Sequence, residues 1–131
     1  MELDIRTVST AALAYYGDSV IELFVRRRLV EQGHGSSKSL NNRARRYVSA
    51  PAQAKAMERL LPHLSEEELG VFRRGRNVGH SATPKNATVA EYRSATGMEA
   101  LFGYLMLAER ETRAKELFLL AFEEANDEGT I

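Results

Sequence analysis

The sequence predicts an all-α domain, and three observations carry that prediction. Apolar residues recur at helical spacing along most of the chain. No stretch alternates apolar and polar residues as a half-buried strand does, and serines or threonines stand just ahead of the apolar runs, where helix N-caps belong. Residues 94–108, SATGMEALFGYLMLA, are apolar, small or neutral except for Glu99, so this helix is expected in the core. Residues 8–25, VSTAALAYYGDSVIELFV, have the same character apart from Asp18 and Glu22. Burying an ionised carboxylate without a partner is costly, so Glu99 is expected to be at the rim, neutral, paired or holding a cation. Two core-grade helices that each carry an acid among small residues could bring those oxygens together at a divalent metal ion.

The first helix is expected to begin near Ser9 or Thr10 and to run towards Glu31, before Gly33, His34 and Gly35 stop it. Two readings of its middle stay open. Gly17 and Asp18 can punctuate it, with Ser19 and Glu22 forming a capping box. Alternatively Leu13, Tyr16, Val20, Leu23 and Phe24 hold helical spacing through Gly17, and a continuous helix puts Ala14, Asp18 and Glu22 on one face. Ser36 and Ser37 open a second helix with Leu40, Ala44, Tyr47 and Val48 on its apolar side and arginines opposite. Ser49, Ala50 and Pro51 start a third, which Pro62 ends. Ser65 with Glu68 is a capping box for a fourth, closing at Gly70 or continuing to Gly75. Residues 75–86 form the one long loop. Thr88 with Glu91 launches the Glu99 helix, which runs to about Ala108, and a last amphipathic helix spans residues 111–124.

At 131 residues the chain is expected to be a single domain, 1–131, with an ordinary core. Its 44% hydrophobic and 27% charged residues are those of a globular protein, and no run suggests a membrane span. The absence of cysteine excludes disulfides and thiolate metal sites. Together with a start that lacks a secretory signal, it points to the cytoplasm. Net charge is zero, from 18 basic and 18 acidic residues, but the charge is segregated. Residues 26–46 hold seven cations against Glu31 alone, and Arg73, Arg74, Arg76, Lys85 and Arg93 stand against Glu91 alone. Such segregation permits a basic face for a polyanion, or merely solvated helix faces. The stretch GHGSSKS only superficially resembles a phosphate loop, since its lysine does not follow the second glycine, and it reads as a turn and N-cap. His34, His63 and His80 show no ligand spacing, with His80 a weak candidate for RNA contact.

At ALAYYGDSVIELFVR (residues 12–26) and YRSATGMEALFGYLML (residues 92–107) the chain resembles the ribonuclease III catalytic domain, whose acids sit in an LGD helix and an EALIG-type helix. It is more similar still to the Mini-III branch at Arg73-Arg74-Gly75-Arg76-Asn77 and Pro84-Lys85-Asn86. The resemblance implies a ribonuclease III-like helical bundle and a homodimer. It implies magnesium-dependent cleavage of double-stranded RNA, with manganese a substitute, leaving a 5′-phosphate. By motif position Asp18 and Glu99 are the implied catalytic residues and metal ligands. Two further acids of larger relatives are replaced here by Ala14 and Thr96, and Glu22 could compensate or pair with a nearby arginine. The resemblance also implies a dedicated substrate, the precursor of large-subunit (23S) ribosomal RNA, which a ribosomal protein could help present. With no double-stranded RNA-binding domain expected after Ile131, Arg73, Arg74, Arg76 and Lys85 are the expected RNA contacts. Two other readings were weighed: a non-catalytic RNA-binding or ribosome-associated protein that keeps the fold, and a helix-turn-helix DNA-binding regulator using Arg43 to Arg46.

Overall fold

The structure, a computed structural model, describes residues 3–78 and 86–122. Within them are six α-helices and two short 3-10 turns, and no strand. Helix α1, Thr10–Glu31, is continuous. Ser9 caps it by accepting from the Ala12 N–H at 3.1 Å. Ser19 does not begin a second helix, because its hydroxyl donates to the Tyr16 carbonyl at 2.7 Å inside the running helix. The punctuated reading of Gly17 and Asp18 is therefore set aside, and the periodicity through Gly17 is the better guide. Gly33, at φ +90, then turns the chain, and Ser36 caps α2, Ser37–Val48.

Ser49 closes α2 and opens α3, Ala50–Leu60. Its N–H donates to Arg45, while its hydroxyl accepts from Ala52 at 3.3 Å. Pro62 lies in a 3-10 turn, Leu61–His63, that ends α3. The Ser65–Glu68 capping box is present in both directions and starts α4, Glu66–Arg76, which passes through Gly70. Gly75 and Arg76 thus belong to a helix and not to the long loop; residues 79–85 of that loop lie outside the described residues. The Thr88–Glu91 box starts α5, Val89–Leu107, and α6 covers Glu111–Ala121. Between these helices Glu109 takes a left-handed conformation, φ 60, as the chain reverses. The expected extension of α6 to Glu124 lies outside the described residues.

Helix α5 is the central element, packed against α1, α3, α4 and α6. Met98, Ala100, Leu101, Phe102 and Leu105 on it are completely buried. Glycines set how near its neighbours come. A Cβ on Gly17 would fall 1.6 Å from the Glu99 carbonyl oxygen, and one on Gly103 would fall 2.0 Å from the Leu13 carbonyl oxygen. On another flank Gly75 and Gly97 let α4 approach as closely, with a Gly75 Cβ 2.7 Å from the Ala100 Cβ. A separate tie joins α4 to α6: Glu68, 3% exposed, accepts from Arg113 Nε and Nη2, both at 2.9 Å. Arg113 also donates to the His63 carbonyl at 2.7 Å. That guanidinium holds the Glu68 carboxyl below its ordinary range.

Gly17→Ala and Gly103→Ala should each destabilise the protein by about 3 kcal/mol or more, because a methyl group there overlaps backbone and not a movable side chain. Gly35→Ala, which meets nothing within 4 Å, should leave the melting temperature nearly unchanged. Thermal melts of the three variants check this.

Candidate functional site

The crossing of α1 and α5 that Gly17 and Gly103 permit also determines where two acids emerge. Asp18 follows the glycine that lies on the Glu99 carbonyl, so Asp18 and Glu99 stand at the same crossing. They are near enough for the Asp18 charge to act on Glu99. Asp18 is exposed and Glu99 is half-buried. The Glu99 carboxyl is pushed up from 4.5 to about 8, first by burial, then by the Asp18 charge and by a hydrogen bond with Asp18 that favours the protonated form. Two residues 81 positions apart in sequence thus form one acid pair, in which the deeper member keeps its proton at neutral pH unless positive charge displaces it.

The other carboxylates considered do not join them. Ala14 is buried against Leu13, Val71 and Ala100. Thr96 is buried, and its hydroxyl donates to the Tyr92 carbonyl at 3.1 Å. Glu22 is engaged by Arg26, at 3.0 Å from Nε and 2.8 Å from Nη2, which is the ion-pair alternative. Among the described residues no three Asp, Glu, His or Cys side chains gather as a metal-binding cluster. Two carboxylates are nonetheless a donor set suited to magnesium, a hard cation that prefers oxygen and keeps several waters. Their mutual repulsion is what a divalent ion would relieve.

Arg73, Arg74 and Arg76 are all exposed on α4, but they do not form one patch. At helical spacing Arg73 and Arg76 share a flank while Arg74 turns away. The Arg76 guanidinium lies over the Phe72 ring at 5.5 Å. Arg74 faces a basin of about 1120 Å³, which Arg6, Tyr104 and Arg110 also line, beside the first turns of α1. The sequence carried no signal for that basin. Lys85 and His80 lie outside the described residues. Sequence reasoning also missed the bare outer face of α1, where Tyr15 is 85%, Leu23 61% and Val30 64% exposed. Its signal was present, since α1 is apolar on more sides than one core contact requires. In the helix-turn-helix reading α2 would be the second helix of the unit; its connection from α1, residues 32–36, is longer than the usual three- or four-residue turn, and the reading gives no account of Glu99.

Residues 11–110 match the ribonuclease III domain family. The chain is 46% identical over 115 residues to a protein named Mini-ribonuclease 3 from Symbiobacterium thermophilum, covering 88% of each. It is 44% identical to the Mini-ribonuclease 3 of Brevibacillus brevis over 84% of this chain and 82% of that one. A crystal structure of a Fusobacterium nucleatum protein superposes with a TM-score of 0.82 at 29% identity, covering 92% of this chain and 97% of the other.

The raised pKa of Glu99 gives stability a pH dependence of definite sign. The metal-free folded state retains a proton that the unfolded state releases near 4.5, so stability should fall as pH rises from there to about 8. Melting temperatures of metal-free protein across that window should decline, and Glu99→Gln should flatten the decline. An identical slope in the variant would mean that the Glu99 carboxyl is not held above its ordinary range.

Proposed function

The chain belongs to the ribonuclease III family, in its Mini-ribonuclease 3 branch, and from that ribonuclease identity we propose a magnesium-dependent endonuclease that cuts double-stranded RNA and matures the 23S ribosomal RNA precursor in the cytoplasm. One observation carries the catalytic part of this reading: two acids meet at a glycine-tight helix crossing, where burial and mutual repulsion hold one of them protonated. A fold kept only for binding gains nothing from that costly pair.

In this reading Asp18 and Glu99 are the catalytic residues and hold the ion. Asp18, exposed, presents an acceptor oxygen to the entering substrate. Glu99 surrenders its proton as positive charge arrives, and its half-buried position limits the freedom of its oxygens. When bound, magnesium supplies charge stabilisation at the scissile phosphate and makes water easier to deprotonate. Arg73 and Arg76 on one flank of α4, with Arg74 turned from them, meet phosphates of the duplex, and Lys85 belongs to the same set; A-form RNA is bound largely through its backbone and shape. The bare stripe of Tyr15, Leu23 and Val30 is the surface for a second copy. Such a two-fold pair offers one site to each strand of a duplex, whose strands are antiparallel.

Incubation of the protein with a structured RNA duplex and magnesium should yield cleavage that a chelator abolishes. Asp18→Asn and Glu99→Gln should each lower the rate by about 100-fold or more, which is the loss expected when a group that stabilises transition-state charge is removed. Equal cutting by all three proteins would remove the proposed site. Arg74→Ala with Arg76→Ala should weaken RNA binding and lower its salt slope by about 1 to 2. A slope unchanged from the parent would place the duplex on another surface.

A further inference from the structure

The residues assigned so far leave α2 unexplained, although it is the most one-sidedly charged helix of the molecule. Its twelve residues contain no acid. Lys38, Asn41, Asn42, Arg45 and Arg46 are all exposed and fall on one contiguous face, opposite Tyr47, which is buried. Lys38, Arg45 and Arg46 pair with no carboxylate among the described residues. This differs from two of the three arginines of α1, where Arg26 is held by Glu22 and Arg27 by Glu31 at 3.4 Å, while Arg28 lies over the Phe118 ring. Exposed helical cations in a chain with equal numbers of acids commonly acquire i,i+4 partners, and α2 supplies none.

The position of this face matters as much as its charge. A depression of about 550 Å³ on α1 includes Asp18, Glu22 and Arg26. A second, of about 510 Å³, lies between α1 and α2 and includes Glu22, Arg26, Asn41 and Arg45. The two adjoin at Glu22 and Arg26, so α2 flanks the side of α1 that carries Asp18; Tyr15 and Leu23 in the first and Val30 in the second belong to the stripe given to a second copy, whereas Lys38, Asn42 and Arg46 line neither depression. Asp18 and Arg26 are two turns apart, about 12 Å along the helix axis, a span of a few nucleotides. The Glu22–Arg26 pair neutralises the boundary between the depressions, so the net positive charge lies on α2.

We infer that the exposed face of α2, built from Lys38, Asn41, Asn42, Arg45 and Arg46, is a second RNA-backbone contact on the flank of α1 that carries Asp18. This rests on the reading of the chain as a double-stranded RNA nuclease and extends it to a surface away from α4. The partner is a phosphate backbone and not an acidic polypeptide, because these cations and amides face solvent beside the helix that carries Asp18, where on the nuclease reading a phosphate must sit. The asparagines and arginines contact phosphates and 2′-hydroxyls without regard to base sequence.

The test uses the full chain in an Asp18→Asn background, so that duplex RNA is bound without being cut, with affinity measured over a series of salt concentrations. Lys38→Gln, Arg45→Gln and Arg46→Gln combined remove three charges from solvent-exposed helix positions and should lower the salt slope by about 2 to 3 and the affinity by at least about tenfold near 0.15 M salt. A control with the same charge change, Arg27→Gln, Lys55→Gln and Lys115→Gln combined, should retain most of the parent slope. Equal loss in both triple variants would mean that net charge alone is responsible, and an unchanged slope in the α2 variant would show that the helix does not touch RNA; either result overturns the inference. If the parent chain itself binds no duplex, the nuclease reading falls together with it, whereas parent binding with an unaffected α2 variant removes the α2 surface alone.

Discussion

Everything in this molecule depends on how closely α1 can lie against α5. Helices usually pack with their axes 8–10 Å apart, separated by side chains. Here Gly17 rests on the carbonyl of Glu99 and Gly103 on the carbonyl of Leu13, so backbone meets backbone with no room for a single Cβ at either point. Gly75 and Gly97 repeat the arrangement between α4 and α5. The central helix is thus gripped from two sides by glycine contacts, and the acid pair is a by-product of the tighter grip. Spreading the helices by the thickness of one methyl group would separate Asp18 from Glu99 before it exposed much of the core.

Two buried or half-buried glutamates show how differently one side chain is handled. Glu68 is almost inaccessible, yet Arg113 and its own capping box leave it stabilised as an anion. Among the described residues Glu99 has burial without a cation and an acid as its neighbour, so its anion is disfavoured. The first arrangement joins α4 to α6 and is structural. The second holds electrostatic tension that a bound cation would relieve, as expected where a fold gives up stability for chemistry.

Most of the fold was legible because its helices announce themselves. Ser9, Ser36, Ser49, Ser65 and Thr88 all cap the helices they were expected to cap, and the pairs Ser65–Glu68 and Thr88–Glu91 close as boxes. Ser19–Glu22 has the same spacing and does not, because the apolar face of α1 continues through Gly17 and tertiary packing outweighs a local capping signal. The candidate acid pair was legible as two isolated charges in apolar helices, but their meeting depends on Gly17 and Gly103 facing each other, a long-range fact no local pattern contains. The arginines of α4 looked like one cluster because they are adjacent in sequence; helical rotation divides them. The outer face of α1 was read as core for a related reason, since hydrophobicity reports that a surface will be covered and not by what.

The shared cap at Ser49 limits how this chain can vary in length. Because one residue both ends α2 and starts α3, the two helices form an elbow without slack. Inserting a single residue at that elbow would rotate α2 by about 100° about its axis and swing its arginines towards Leu29 and Val25. Residues 32–36, which include Gly33 and Gly35, by contrast make a slack connection that can absorb additions while α2 stays in register. Insertions and deletions among relatives are therefore expected to concentrate before α2 and to be absent after it.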